Sequence, residues 1–300
     1  NNHGCYYRAM SAPLISDTAL WANCASSLAS ALSQLGDAEV RPRFDCARIS
    51  SKADGSLLTD ADLAVQQALP AILERLYPAP LLGEEMPTAE QSALWQGAED
   101  GDSALWIADP IDGTANFASG LPWFAISVAL MLHGKIVLGA TVAPALNQYW
   151  HASLGGGSFC NGQTLRLHKA PSDLHDCLVG VDMTYLPEVL RQRIANISPA
   201  GITNSLNQRA PWRGWRSLGA STLEWCALAS GQLHAYVHGG QMPWDAAAGR
   251  LILAEAGGYS APLAEILQYQ SDTGLNPRAF AAASPGVWPT WQQWLREDQG

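Results

Sequence analysis

Apolar residues recur every three to four positions near the start of the chain. Leu20, Trp21, Cys24, Leu28, Ala31, Leu32 and Leu35 fall on one helical face, and Gly36 follows them. That spacing predicts an amphipathic helix over residues 17–35. Residues 48–59 read as loop, and Thr59-Asp60-Ala61-Asp62 opens a second helix that reaches about Tyr77 before Pro78 and Pro80 stop it. The period then shortens. Leu81-Leu82-Gly83-Glu84-Glu85 is a short apolar strand ending in two acids, and Leu105 to Ala108 is a buried strand. Residues 125–132 and 136–142 flank His133-Gly134-Lys135 as a hairpin. Residues 149–152 and 163–167 form another around Gly155-Gly156-Gly157 and Asn161-Gly162.

In the second half a strand is predicted at 178–183 and a helix near 187–197. Ser221-Thr222-Leu223-Glu224 matches a capping box that opens a helix ended by Gly231. A short strand covers 234–237, and a helix runs from Trp244-Asp245 to Gly257-Gly258. A last strand at 279–283 precedes an amphipathic tail with Trp288, Trp291 and Trp294. Strands and helices alternate without the rhythm of a barrel, which predicts a layered α/β architecture.

Composition narrows the class. Three hundred residues with 48% hydrophobic and 15% charged content give a globular chain of one large domain or two packed halves. No repeat or low-complexity tract is visible. The 27 acids against 17 basic residues leave a net charge of −10, which argues against a nucleic-acid partner. Cysteines at 5, 24, 46, 160, 177 and 226 form no Cys-x-x-Cys pair, so reduced thiols are the simpler reading. No apolar run of 18 residues and no basic-then-apolar leader occur, so the expectation is a cytoplasmic protein without a membrane partner.

Chemistry concentrates in Trp106-Ile107-Ala108-Asp109-Pro110-Ile111-Asp112-Gly113-Thr114-Ala115-Asn116-Phe117. The apolar run delivers Asp109 to a strand end, and Pro110 is expected to stop the ladder because it lacks an N–H. Asp112 follows three residues later. Two carboxylates aimed into one space repel unless a proton or cation sits between them. The competing reading is a plain strand-to-helix turn with Asp112 as cap. The Asp-x-Asp-Gly-Thr pattern of haloacid dehalogenase-type phosphatases is absent, because Pro110 stands where its nucleophile would be. Glu84 and Glu85 alone read as a solvated strand end, and Asp245 alone as an N-cap.

Together these segments resemble the inositol monophosphatase family. Gly83-Glu84-Glu85, the segment from Asp109 to Phe117, and Trp244-Asp245-Ala246-Ala247-Ala248-Gly249 look like its three signature motifs, in the family order. The segment from Lys52 to Asp62 resembles its upstream Lys…Thr-x-x-Asp stretch. Arg216-Ser217-Leu218-Gly219-Ala220, Gly157-Ser158-Phe159-Cys160-Asn161-Gly162 and Glu255-Ala256-Gly257-Gly258 also fit. The likeness spans about residues 15 to 285.

The resemblance implies an αβαβα sandwich of the sugar-phosphatase type. It divides the chain into a tail (1–14), an α+β half with most metal ligands (15–153), and an α/β half that completes the site (154–300). It implies Mg²⁺-dependent hydrolysis of a small phosphate monoester by a metal-activated water. Glu84, Asp109 and the Ile111 carbonyl would hold one Mg²⁺, and Asp109, Asp112 and Asp245 a second. A third, looser ion near Glu84 follows the same analogy, as do inhibition by Li⁺ and a homodimer. Glu84, Thr114 and Asp62 carry the catalytic roles, with Thr114 hydrogen-bonded to Asp62 as a dyad that orients the water. Asp112, Gly113, Thr114, Gly219, Ala220, His238 and Asp245 are the expected substrate contacts, and Lys52 is carried over more loosely.

The chain departs from the animal enzymes at His238, where they carry a Glu that binds ring hydroxyls. That makes inositol 1-phosphate one candidate among several. Histidinol phosphate, fructose 1,6-bisphosphate and 3′-phosphoadenosine 5′-phosphate are the alternatives, and the 183–216 tract is expected near the leaving group. A regulatory, protein-binding role is the alternative of another class.

Overall fold

The computed structural model describes residues 17–44, 46–51, 55–101, 103–167, 171–197, 211–269, 275 and 278–297. The 1–14 tail, Lys52 and residues 198–210 of the 183–216 tract lie outside the described residues.

Helix α1 (Thr18–Leu35) opens on Asp17, whose carboxylate accepts the Leu20 N–H at 3.1 Å. It continues through a π-helical turn, Gly36–Val40, into α2 (Arg41–Phe44). The stretch expected as loop is instead an antiparallel hairpin, β1 (Ile49–Ser51) with β2 (Leu57–Thr59). All three β1 residues are exposed, so the strand carries no alternation to read. Thr59 then caps α3 (Asp60–Leu76).

Seven strands follow as one sheet in chain order: β3 (Leu81–Gly83), β4 (Leu105–Asp112), β5 (Ala125–Leu132), β6 (Lys135–Ala143), β7 (Gln148–Ser153), β8 (Gly157–Cys160) and β9 (Gln163–Thr164). The β3–β4 pair is parallel and bridged by α4 (Thr88–Glu99); the rest is an antiparallel meander. The sequence gives no sign of α4, because only Gln91, Trp95 and Ala98 of its twelve residues are buried. Where one hairpin was expected over 149–167, two turns make three strands. Strand β4 is followed by the single turn α5 (Thr114–Ala118).

The second sheet has five strands in the order β11-β10-β12-β14-β13, from β10 (Leu178–Asp182), β11 (Gly214–Arg216), β12 (Ala235–Gln241), β13 (Tyr259–Pro262) and β14 (Arg278–Ala283). Strand β12 runs past its expected end at 237, so His238 is a strand residue paired with Asp182 and Phe280. Its helices are α6 (Glu188–Ala195), α7 (Ser221–Ala229), α8 (Pro243–Glu255), α9 (Leu263–Leu267) and α10 (Trp288–Arg296).

Alternation along the strands builds the layers. In β5, Ile126, Val128 and Leu130 join α1 and α3 in one core, while Ala125 and Ala129 face α7 and α8 in another. In β12, Tyr236 faces that same middle layer, while Ala235 and Val237 turn outward to α6, α9 and α10. The order is helix, sheet, helix, sheet, helix, as the resemblance implied. At the middle layer α7 and α8 touch closely: a Cβ on Gly249 would lie 2.4 Å from Trp225 Cβ. Among the described residues no helix is long and apolar enough to cross a membrane.

Candidate active site

The fold opens where β3 stops. Strand β3 pairs with β4 only from Trp106 to Ala108, so beyond Ala108 that edge of β4 has no neighbouring strand among the described residues. Pro110 therefore does not end the strand, contrary to the sequence reading. Its missing N–H falls where no partner needs it, and the register with β5 shifts between Asp109 and Asp112 to absorb it. The gap receives Glu84 and Glu85 from the turn after β3 and Asp245 from the first turn of α8.

Glu84, Asp109, Ile111, Asp112, Gly113, Thr114 and Asp245 line one cleft of about 780 Å³. Asp109, Asp112 and Asp245 each offer a carboxylate oxygen, all within 4.8 Å of one another. Burial pushes the Asp109 carboxyl well up, and the charges of Glu84, Asp112, Asp245 and Asp62 add to the shift. Asp245 is raised for the same reasons, burial first and Asp112 next, although it accepts the Met242 N–H at 2.8 Å. Asp109 Oδ1 is buried and meets no hydrogen-bond donor. A cluster of buried acids with an oxygen left open is unstable as bare anions and suited to a hard cation.

Gly113 takes φ +82°, and a Cβ there would lie 2.9 Å from the Trp123 carbonyl oxygen and 3.0 Å from Ala220 Cβ. Gly219 and Ala220 thus pack behind Gly113 and do not line the cleft themselves. The Asn116 amide fixes this junction by donating to the Leu218 and Trp123 carbonyls, each at 2.8 Å.

Two expected contacts are placed differently. The Thr114 hydroxyl donates to the Ile111 carbonyl at 2.9 Å, and Asp62 Oδ2 accepts from the Thr59 N–H at 2.8 Å and the Thr59 hydroxyl at 2.5 Å. Each group has a local partner, Ile111 for Thr114 and Thr59 for Asp62, the latter pair forming the capping box of α3. Asp62 still feels the site: burial raises its pKa to about 6, and Glu84 and Glu85 contribute. His238 does not line the cleft. Its Nδ1 accepts the Gly240 N–H at 3.1 Å, and Nε2 lies 3.6 Å from Asp182. Burial lowers its pKa against the pull of Asp182.

Thr222 is the residue that sequence reasoning missed. Its N–H and hydroxyl donate to Asp112 Oδ2 at 2.7 and 2.6 Å, while burial raises the Asp112 pKa to about 6. The expected capping box is not formed. The N-cap of α7 is Ala220, which has no side-chain acceptor, and Glu224 reaches back to the Leu218 N–H instead. Asp112 caps α7 from another segment of the chain. The sequence carries no signal for this, because Ser221 reads there as the helix's own N-cap acceptor.

The profile of the Inositol monophosphatase family matches residues 17–296. The chain belongs to the inositol monophosphatase family. It is 34% identical over 210 residues to Inositol monophosphatase 2 of Saccharomyces cerevisiae, covering 69% of this chain and 70% of that protein. It is 31% identical over 221 residues to Nus factor SuhB of Pseudomonas aeruginosa, covering 72% and 76%. Among solved structures it resembles an IMPase/NADP phosphatase complexed with Mg²⁺ and phosphate, with TM-score 0.73, 23% identity and coverage of 93% and 97%. As an inositol monophosphatase family member the chain is a phosphoric monoester hydrolase, of a family that acts on small phosphate substrates.

Proposed function

We propose that the chain hydrolyses a small phosphate monoester, an inositol phosphate or a related polyol or sugar phosphate, with Mg²⁺ held in the β4 cleft. The observation that carries this reading is the open Asp109 Oδ1 set among Asp112 and Asp245. One buried and two half-buried carboxylates form the hard-oxygen set that Mg²⁺ takes. Glu84, Asp109 and the Ile111 carbonyl would hold one ion, and Asp109, Asp112 and Asp245 a second, with a third near Glu84. Bound there, the cations supply charge stabilisation to the phosphoryl oxygens and acidify water at neutral pH.

The chain's own groups do the rest. Thr222 holds Asp112 in place by two hydrogen bonds, and the Met242 N–H does the same for Asp245. Thr114, whose hydroxyl proton is given to Ile111, keeps oxygen lone pairs for an incoming water. Asp62 has a pKa near 6 and is suited to holding the proton that the water gives up. Gly113, whose missing Cβ makes room for Trp123 and Ala220 behind it, offers its backbone at the cleft wall to the phosphate. Gly219, Ala220 and His238, which do not line the cleft, belong to the proposal only as contacts to a leaving group that reaches beyond it. A homodimer and Li⁺ inhibition belong to it by family likeness.

Phosphate release from inositol 1-phosphate, histidinol phosphate, fructose 1,6-bisphosphate and 3′-phosphoadenosine 5′-phosphate tests the reading. Release should require Mg²⁺, fall with millimolar Li⁺, and favour one ester by kcat/KM. No turnover with any divalent cation overturns it. The name of the Pseudomonas relative favours a second reading, a regulatory contact with another protein, and a stoichiometric partner without turnover would promote it.

A further inference from the structure

A second cavity, of about 200 Å³, lies on the other side of Met242 from the carboxylate cleft. Trp95 and Glu99 of α4 form one wall, Phe280 and Arg278 of β14 another, and Arg250 of α8 a third. Its walls are mostly apolar, yet two guanidinium groups face it. The two are not equivalent. Arg278 pairs with Glu99 at 3.0 Å, and both are about a third exposed. Arg250 stacks over Phe280, 4.6 Å from the ring centroid, and its one hydrogen bond among the described residues is a long one from Nε to Ser260 Oγ at 3.4 Å.

Among the described residues no carboxylate lies within ion-pairing distance of Arg250. Glu265 acts on it only from farther away, and burial together with Arg278 disfavours its charged form. A half-buried guanidinium without a carboxylate partner bears a desolvation cost, and an arriving anion offsets it. The fork of the guanidinium matches a carboxylate. The volume sets the rest of the ligand, since an apolar cavity of about 150 Å³ accepts benzene. We propose that this cavity binds a small carboxylate with one apolar ring or branched chain, its carboxylate on Arg250, away from the Arg278–Glu99 pair, and its body against Trp95, Met242 and Phe280. The site is separate from the phosphate cleft and does not depend on the reaction proposed for it.

Benzoate is the probe, with the full chain in Mg²⁺ buffer and calorimetry as readout. Benzoate should bind one per chain, and benzyl alcohol at least about tenfold more weakly. Saturating inorganic phosphate should leave benzoate binding unchanged. Arg250→Met should weaken it at least about tenfold, with a melting temperature close to that of the wild type, because the charge removed is half-buried and has no ion pair among the described residues. Ala247→Phe fills the cavity and keeps both arginines; it should abolish binding even if the arginine variant fails to fold. Competition by phosphate, equal binding of benzyl alcohol, or full binding to Ala247→Phe would each overturn the proposal.

Discussion

Asp109 and Glu224 are both buried carboxyls, each about 2% exposed, and they meet opposite surroundings. Asp109 faces Asp112 and Asp245 and leaves Oδ1 without a donor. Glu224 accepts the Leu218 N–H at 3.0 Å and the Tyr236 hydroxyl, which in turn accepts from the Gln241 amide at 3.0 Å. Burial raises both groups. For Glu224 the hydrogen bonds pull the other way and leave it at about 7, whereas for Asp109 every neighbouring charge pushes further up. Glu224 can settle its cost with a proton and existing donors. Asp109, with an open oxygen among like charges, is suited to a cation. Burial of an acid is therefore not the mark of a site; convergent like charges with an open oxygen are.

The contrast breaks most sharply at Asp109. Asp109→Asn keeps the shape and removes the charge shared by both proposed ions. Turnover should fall by at least about 10²–10³-fold, the scale of losing a key charge stabiliser. Wild-type melting temperature should rise with Mg²⁺, because a ligand that binds only the folded state stabilises it, and in the variant that rise should shrink or vanish. A folded Asp109→Asn chain with wild-type turnover and an unchanged Mg²⁺ response would place Asp109 with Glu224, as a structural acid.

At Glu224 the expected effect is on stability and its pH dependence. Its folded pKa of about 7 lies above its ordinary value near 4.5, so the folded state holds the proton more tightly. That contribution is fully present below about pH 4.5 and is lost as pH rises through 7. The loss is on the order of 3 kcal/mol. Glu224→Gln carries no charge to desolvate and keeps an acceptor for Leu218. Urea unfolding at pH 5 and pH 8 should therefore show the variant gaining on the wild type at the higher pH, with activity largely retained. An identical pH slope in both chains would mean that Glu224 is not the titrating group.

The difference between these acids also explains what the sequence could reveal. Glu84, Asp109, Ile111, Asp112, Gly113, Thr114 and Asp245 were legible because their motifs are contiguous, and all seven line the cleft. The layered fold was legible for a similar reason, since β5 and β12 alternate visibly between two cores. Contacts set by a second segment were not. Pro110 reads as a strand end until the short reach of β3 is known. Asp62 and Thr114 take local partners that no motif announces, and His238 is held by Gly240 and faces Asp182. Helix α4 and the β1–β2 hairpin bury too little to leave a period.

Thr222 gives the smallest and most discriminating test, because it joins the two regions. It sits two residues before Glu224 on α7 and holds Asp112 of the cleft by its N–H and hydroxyl. Thr222→Val keeps the N–H bond and removes only the hydroxyl. Losing one hydrogen bond to a charged group costs about 1.5–3 kcal/mol at most, and the retained N–H places the effect at the low end. Because both Thr222 bonds lower the Asp112 pKa, losing one should raise it, strengthen proton competition with the cation, and move the acid limb of the activity profile at sub-saturating Mg²⁺ to higher pH. Thr222→Ser restores the hydroxyl and should restore the profile. A stability loss with no movement of that limb would make Thr222 a helix-capping partner alone, and Asp112 a capping acid like Asp62 and not part of a cation site.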